Sequence, residues 1–142
     1  MSLEFYTFIN MSSQEIKEAG LKVTLPRLQV LEFLTNNKGG HFTAEALFTE
    51  MKQTGHDVGL ATIYRVLNQF ETAGLVCKHQ FENNQAVYEL ETGDHHDHMV
   101  DLDTGKVIEF FDPELEKLQE QIAEKHGYEL MDHKMVLYVK KK

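Results

Sequence analysis

Apolar positions in the first half of the chain recur at helical spacing. Leu28, Leu31 and Leu34, with Val30 beside them, come every three to four residues, behind Thr24 as N-cap and Pro26 in the first turn. Ahead of them, Ser12-Ser13-Gln14-Glu15 has the Ser-x-x-Glu spacing of a capping box and predicts a short helix ending at Gly20. Residues 1–11 lack a helical period and read as an N-terminal extension that folding does not require. After Gly39-Gly40, Thr43 is placed to cap a helix in which Ala46, Leu47 and Met51 share a face, ending near Gly55. From Gly59 to Phe70, the residues Ile63, Val66, Leu67 and Phe70 stand at i, i+3, i+4 and i+7, and Gly74 closes the element.

The pattern then changes to alternation. Leu75–Phe81 and Gln85–Leu90 predict two strands around Glu82-Asn83-Asn84, and helices followed by such a hairpin make a winged helix-turn-helix over residues 12–91. A boundary falls at Glu91-Thr92-Gly93. Beyond it, a strand carrying Asp94 to Leu102 turns at Asp103-Thr104-Gly105 and returns through Lys106–Phe110. Asp112 and Pro113 open a helix with Leu115, Leu118 and Ile122 facing inward, ending at Gly127. Tyr128–Val139 predicts a last strand with Met131, His133, Met135 and Leu137 on one face. Strand, strand, helix, strand over residues 92–142 is a small α/β unit with little core of its own, so it is expected to dimerise. The fold class is α+β.

Composition narrows the chemistry. A net charge of −9 argues, for the chain as a whole, against nucleic acid and for cations as partners. The single cysteine, Cys77, excludes a disulfide framework or a thiolate zinc site within one chain and suits a reducing cytoplasm; it reads as a small buried apolar side chain. Leu3–Ile9 is apolar but has no basic flank and is too short for a signal or a membrane span. The expected location is cytoplasmic, with no membrane partner.

Five potential metal ligands stand in five residues at Asp94-His95-His96-Asp97-His98. On a strand, successive side chains point to opposite faces, so His95 and Asp97 project one way and His96 and His98 the other. One segment can therefore seed two metal sites back to back. The charge pattern singles out a second surface. From Val58 to Phe70 there is no acidic residue, where roughly two are expected in so acidic a chain. Ala61, Tyr64, Arg65 and Asn68 share the face of this helix opposite its apolar stripe. Short residues allow close approach to a duplex, Arg65 can bond guanine bidentately, and Tyr64 can stack on bases or reach phosphate. Lys22, just before the helix of Pro26, can reach backbone or minor groove. The candidate DNA-contacting residues are Lys22, Ala61, Thr62, Tyr64, Arg65 and Asn68.

Gly20-Leu21-Lys22-Val23-Thr24-Leu25-Pro26-Arg27, then Gly59-Leu60-Ala61-Thr62-Ile63-Tyr64-Arg65-Val66-Leu67, then His95-His96-Asp97-His98 and Gly105-Lys106-Val107-Ile108-Glu109-Phe110, follow one another in order. On these motifs the chain, from about residue 15 to 139, resembles the ferric uptake regulator family of bacterial metal-dependent repressors. The resemblance implies an N-terminal winged helix-turn-helix DNA-binding domain joined by a hinge to a C-terminal α/β dimerisation domain. It implies one metal site of His41, Glu89, His96 and His98 between the domains, and another of His95, Asp97, Glu116 and His133 within the dimerisation domain. His79 and His126 match no implied ligand position and read as surface residues.

The chain departs from most members where they carry Cys-x-x-Cys, because Asp101-Leu102-Asp103-Thr104 stands there instead. A four-cysteine structural zinc is therefore excluded. The departure points to one histidine site having become structural, and it is similar to the cysteine-poor, manganese-responsive branch. The reading is a homodimeric repressor of iron-uptake genes, possible as a tetramer, that binds a double-stranded operator on taking up Fe(II) or Mn(II), with Zn(II) expected in one or both sites. The alternatives are a manganese-, zinc- or peroxide-responsive member of the same family, a metal buffer, or a metallohydrolase. The last is disfavoured because two four-ligand sets leave no open coordination position, and His95-His96-Asp97-His98 is not a His-Glu-x-x-His helix. The protein is not expected to be an enzyme.

Overall fold

The computed structural model describes residues 3–81 and 85–142, the side chains of residues 3–9 apart. The predicted turn at Glu82-Asn83-Asn84 and the side chains of Phe5, Tyr6, Phe8 and Ile9 lie outside what is described. The chain divides into two compact units, Met1–Thr92 and Gly93–Lys142.

The first unit begins with helix α1, Leu3–Glu18, nine residues earlier than the capping signal predicts. Ser12 is buried inside this helix rather than capping it. Ile16 is fully buried and α1 packs on the next helix, so tertiary burial overrides a local cap motif that competes with helix continuation. Helix α2 (Leu25–Asn36) has Thr24 at its N-cap and Pro26 in its first turn, although the threonine side chain makes no capping bond. Helix α3 (Ala44–Gln53) is capped as expected, Thr43 accepting from the Ala46 amide at 3.1 Å. Helix α4 (Leu60–Thr72) buries Ile63, Val66, Leu67 and Phe70, the stripe read from their spacing. Gly74 ends it at φ 79°, where the Leu75 amide reaches back to the Phe70 carbonyl at 2.8 Å.

Strands β1 (Val76–His79) and β2 (Val87–Leu90) pair antiparallel, Cys77 opposite Glu89. Phe42 adds an antiparallel bridge to Tyr88 from the segment between α2 and α3. One continuous core joins these elements, with Leu31, Leu47, Ile63, Leu67 and Phe70 at its centre, completely shielded from solvent. This is a winged helix-turn-helix.

In the second unit the central strand β3, Asp97–Asp101, pairs antiparallel with β4, Val107–Phe110, and parallel with β5, Val136–Val139. The parallel pairing requires a crossover, supplied by α5, Pro113–Lys125, whose N-cap Asp112 accepts from the Glu114 and Leu115 amides. Two predicted strands are shorter than read. Strand β3 starts at Asp97, so His95 and His96 precede the ladder, and the last strand starts at Val136 rather than Tyr128. Helix α5 buries no residue within this chain, and Leu118 and Ile122, predicted to face inward, are each 52% exposed.

Candidate metal centre and nucleic-acid interface

The strand that carries the ligands also explains their grouping. Asp97 opens β3 and is only 1% exposed. His95 lies two residues before it, on the same side. Glu116 stands in the first turn of α5, and His133 in the segment that leads into β5 alongside β3. The four come together. His95 Nε2 is 3.6 Å from Asp97 Oδ1 and 3.2 Å from Glu116 Oε1; His133 Nε2 is 3.1 Å from Asp97 Oδ1 and 3.6 Å from Glu116 Oε1. All four candidate ligand atoms lie within 4.8 Å of one another.

Those spacings carry chemical information. A tetrahedral ion with metal–ligand bonds near 2.0–2.1 Å sets its donors about 3.3 Å apart, and the four measured contacts fall on either side of that value. Two carboxylate oxygens of the group, Asp97 Oδ2 and Glu116 Oε1, are buried without a hydrogen-bond partner. Glu116 Oε1 is within ion-pair range of His95 Nε2 but is not aligned for a hydrogen bond. Buried polar atoms left this way ordinarily cost stability, so unpartnered carboxylate oxygens within a group of four close donors fit a bound cation. Two imidazoles and two carboxylates suit Fe(II), Mn(II), Zn(II) or Co(II).

The other predicted ligands form pairs inside each unit. In the first, the Phe42–Tyr88 bridge puts His41 opposite Glu89, and His41 Nε2 lies 2.8 Å from Glu89 Oε2. Gly40 makes this approach possible, because a Cβ there would come within 2.6 Å of the Phe42 ring. In the second, His96 and His98 stand edge to face with ring centroids 4.9 Å apart, and His96 Nε2 is 3.5 Å from Glu109 Oε1. Glu109 is directly opposite His98 in the β3–β4 register. Glu109 stands between apolar neighbours in the sequence, and counting the hairpin register back from the turn at Asp103-Thr104-Gly105 is the signal that places it there.

Two further expectations are corrected. His79 is half-buried, not a bare surface residue: its Nε2 lies 2.6 Å from Glu89 Oε1, and its ring stacks on Phe81 at 5.6 Å. The strand register accounts for this, since Cys77 faces Glu89 and His79, two residues on, is its diagonal neighbour on the same face. Cys77 is only partly buried, and its thiol donates to Glu91 Oε2 at 2.5 Å.

On α4, Ala61, Tyr64, Arg65 and Asn68 are exposed on one face and Thr62 is half-buried. Lys22 is exposed, and its carbonyl accepts from Arg27 Nη1 at 2.6 Å. Arg27 also donates to Gln69 Oε1 from Nη2 at 2.9 Å, which ties the Lys22 segment to α4. Among the described residues Arg65 makes no hydrogen bond or ion pair to the protein, so its five donors remain available. Tyr64 differs, for its hydroxyl donates to Glu45 in the first turn of α3. That bond holds the Glu45 carboxyl below its ordinary range and raises the Tyr64 phenol.

The model of the Ferric uptake regulator family matches residues 18–138. The chain belongs to this family. Its members are transcription regulators, so the protein is a metal-responsive regulator and not an enzyme, built as an N-terminal helix-turn-helix DNA-binding domain and a C-terminal dimerisation domain. The Ferric uptake regulation protein of Pseudomonas putida is 52% identical over 132 residues, 93% of this chain and 98% of that one. The structure of the ferric uptake regulator from Pseudomonas aeruginosa with manganese is 51% identical, with a TM-score of 0.80, covering 92% of this chain and 98% of that one. The Vibrio cholerae ferric uptake regulator, whose structure reveals rearrangement of the DNA-binding domains, is 50% identical with a TM-score of 0.84, covering 91% of this chain and 98% of that one. Among the described residues no helix is long and apolar enough to cross a membrane.

Proposed function

We propose that this ferric uptake regulator family member is a cytoplasmic homodimeric repressor of iron-uptake genes, activated for operator binding by Fe(II), with Mn(II) as the alternative effector. Residues 12–91 are its DNA-binding domain and 92–142 its dimerisation and metal-binding domain. The observation that carries the reading is the four-donor set of His95, Asp97, Glu116 and His133, with its buried oxygens lacking hydrogens to accept. This set takes the structural role that thiolates would otherwise fill, with Zn(II) as its expected occupant. The sensing ion is held by His41 and Glu89 from the DNA-binding domain together with His96 and His98, as the family resemblance implies, and Glu109 is added here as a further ligand because it neighbours His96 and faces His98.

A cation shared by two domains favours the arrangement in which all its ligands are satisfied. In a dimer this sets the spacing of two α4 helices on the duplex, and half-site spacing follows from it. Lys22, Ala61, Thr62, Tyr64, Arg65 and Asn68 are the proposed contacts. The exposed Leu118 and Ile122 of α5 and the exposed Ile108 and Leu137 of the sheet support a dimer, since this much apolar surface on so small a unit calls for a partner.

The test compares His96→Ala with Asp97→Ala, reading metal stoichiometry, operator affinity and dimer dissociation for each. The first should abolish metal-dependent operator binding and leave the dimer intact. The second should lose a tightly held metal and weaken the dimer or its thermal stability, because metal binding is coupled to folding. Loss of one and the same metal in both variants, with the same consequences, would remove the two-site reading. Mobility-shift titrations with Fe(II), Mn(II), Zn(II) and Co(II) then rank the effectors. Arg65→Ala, fully metallated, should lose about 1–3 kcal/mol of operator affinity if it makes a bidentate base contact.

A further inference from the structure

The two long polar side chains at the centre of the exposed α4 face are held in opposite ways. Arg65 has no partner within the described protein, whereas Tyr64, one residue before it and 39% exposed, gives its hydroxyl proton to Glu45 on a different helix. Glu45 is well placed to accept it. As the second residue of α3, it lies at the helix N-terminus, where the backbone dipole favours a carboxylate, and Thr43 fixes that terminus through the Ala46 amide. The α3 and α4 helices pack directly on each other through the fully buried Leu47, Met51, Ile63 and Leu67, so both ends of the Glu45–Tyr64 link stand on rigid elements.

This arrangement is unexpected on a surface meant to approach phosphate. A carboxylate there repels DNA, and α4 itself carries no acidic residue until Glu71 in its last turn. A free tyrosine would instead spread over several rotamers, and ordering it on binding would cost affinity. A charge-assisted bond to a fixed acceptor removes that cost in advance.

We propose that Glu45 is a specificity-determining positioning residue of the DNA-reading surface: by accepting the Tyr64 hydroxyl it holds the ring in one orientation, so that Tyr64 contributes to operator over random sequence. The inference rests on α4 being the reading helix. Glu45 acts through Tyr64 and needs no contact with DNA itself. The hydroxyl, spent on Glu45, is not the group that meets phosphate; the ring's apolar surface is what the duplex encounters.

The experiment uses the full-length metallated protein and measures affinity for an operator duplex and a scrambled duplex at matched salt. The variants are Tyr64→Phe, Glu45→Ala, the double variant, Glu45→Gln and Arg65→Ala, each checked for unchanged melting temperature and metal content. The operator-to-scrambled ratio should fall about three- to tenfold in Tyr64→Phe and in Glu45→Ala, the cost of ordering one free side chain on binding. The double variant should fall no further than either single one, because all three lose the same bond. Glu45→Gln keeps an acceptor and should retain most of the ratio. A ratio unchanged in either single variant, or losses that add in the double variant, would overturn the proposal and leave Glu45 as a surface charge acting on its own. If Arg65→Ala is silent as well, the reading of α4 as the DNA-contacting helix falls with it; if Arg65→Ala loses operator binding while Glu45→Ala does not, only the positioning role is lost.

Discussion

The two units of this protein bury different kinds of residue. In the first, the apolar side chains completely shielded from solvent include Ile16, Val30, Leu31, Leu47, Met51, Ile63, Leu67 and Phe70, an interior drawn from four helices. In the second, Val100 is the one buried apolar side chain among the described residues, and its buried companions are Asp97, His98 and Asp101. Apolar burial at roughly 25 cal/mol per Å² stabilises a fold without help. Buried carboxylates and imidazoles stabilise it only when something satisfies them. The first unit thus has an apolar core of its own, while the second, with one buried apolar side chain and an exposed α5 face, is the unit expected to need a cation and a partner. A sensor would gain from this asymmetry, because the domain proposed to recognise DNA is then expected to stay folded whether or not metal is present.

The sharpest way to break this contrast is to remove metal. Exhaustive chelation should abolish amide-exchange protection in β3, β4 and β5 and dissociate the dimer, while α2, α3 and α4 stay protected. Structural metal contributes up to roughly 10–16 kcal/mol in small peptides, so this is the largest effect expected. Uniform loss or uniform retention of protection across both units would end the distinction.

A core truncation should do the reverse. Phe70→Ala opens a cavity among fully buried side chains and should cost about 3–5 kcal/mol in the first unit. Metal stoichiometry at the His95, Asp97, Glu116 and His133 set should be unchanged, as read by metal analysis of the folded variant.

A smaller perturbation sharpens the picture within the first unit. Thr43→Ala removes the side-chain cap of α3 and should cost about 1 kcal/mol, seen as a lower denaturation midpoint with an unchanged slope.

The smallest expected effect lies in the turn of the second unit. Amides of Asp103 and Thr104 donate to the Asp101 carboxylate, and the Asp103 bond in particular holds this carboxyl below its usual range. A pKa depressed on folding stabilises the native state above the unfolded value, and that contribution fades as pH falls through the folded one. The melting-temperature gap between the protein and Asp101→Ala should therefore be largest at neutral pH and narrow below about pH 4. A gap that widens on acidification would mean that the carboxylate is not what the turn uses.

Much of this was legible in the residues themselves. The stripe of Ile63, Val66, Leu67 and Phe70, the caps at Thr43 and Asp112 and the glycine stop at Gly74 are local signals, decided by neighbours within one or two turns, and the helices follow them. The alternation of His95 and Asp97 against His96 and His98 is local as well, and the contacts keep that division even though the ladder starts only at Asp97. Tertiary structure decided the rest. Burial of Ile16 against α2 carries α1 straight through the serines that would have capped it. Glu116 and His133 reach Asp97 because a crossover helix returns the chain parallel to β3, and no spacing in the sequence encodes where that return lands. The same holds for Glu109 opposite His98, His79 beside Glu89 and Tyr64 on Glu45: each pairing depends on register or helix packing between segments that do not direct one another locally. Local composition sets which residues can form an element, whereas the contact each side chain finally makes is chosen by the whole chain's search for burial and satisfied polar groups.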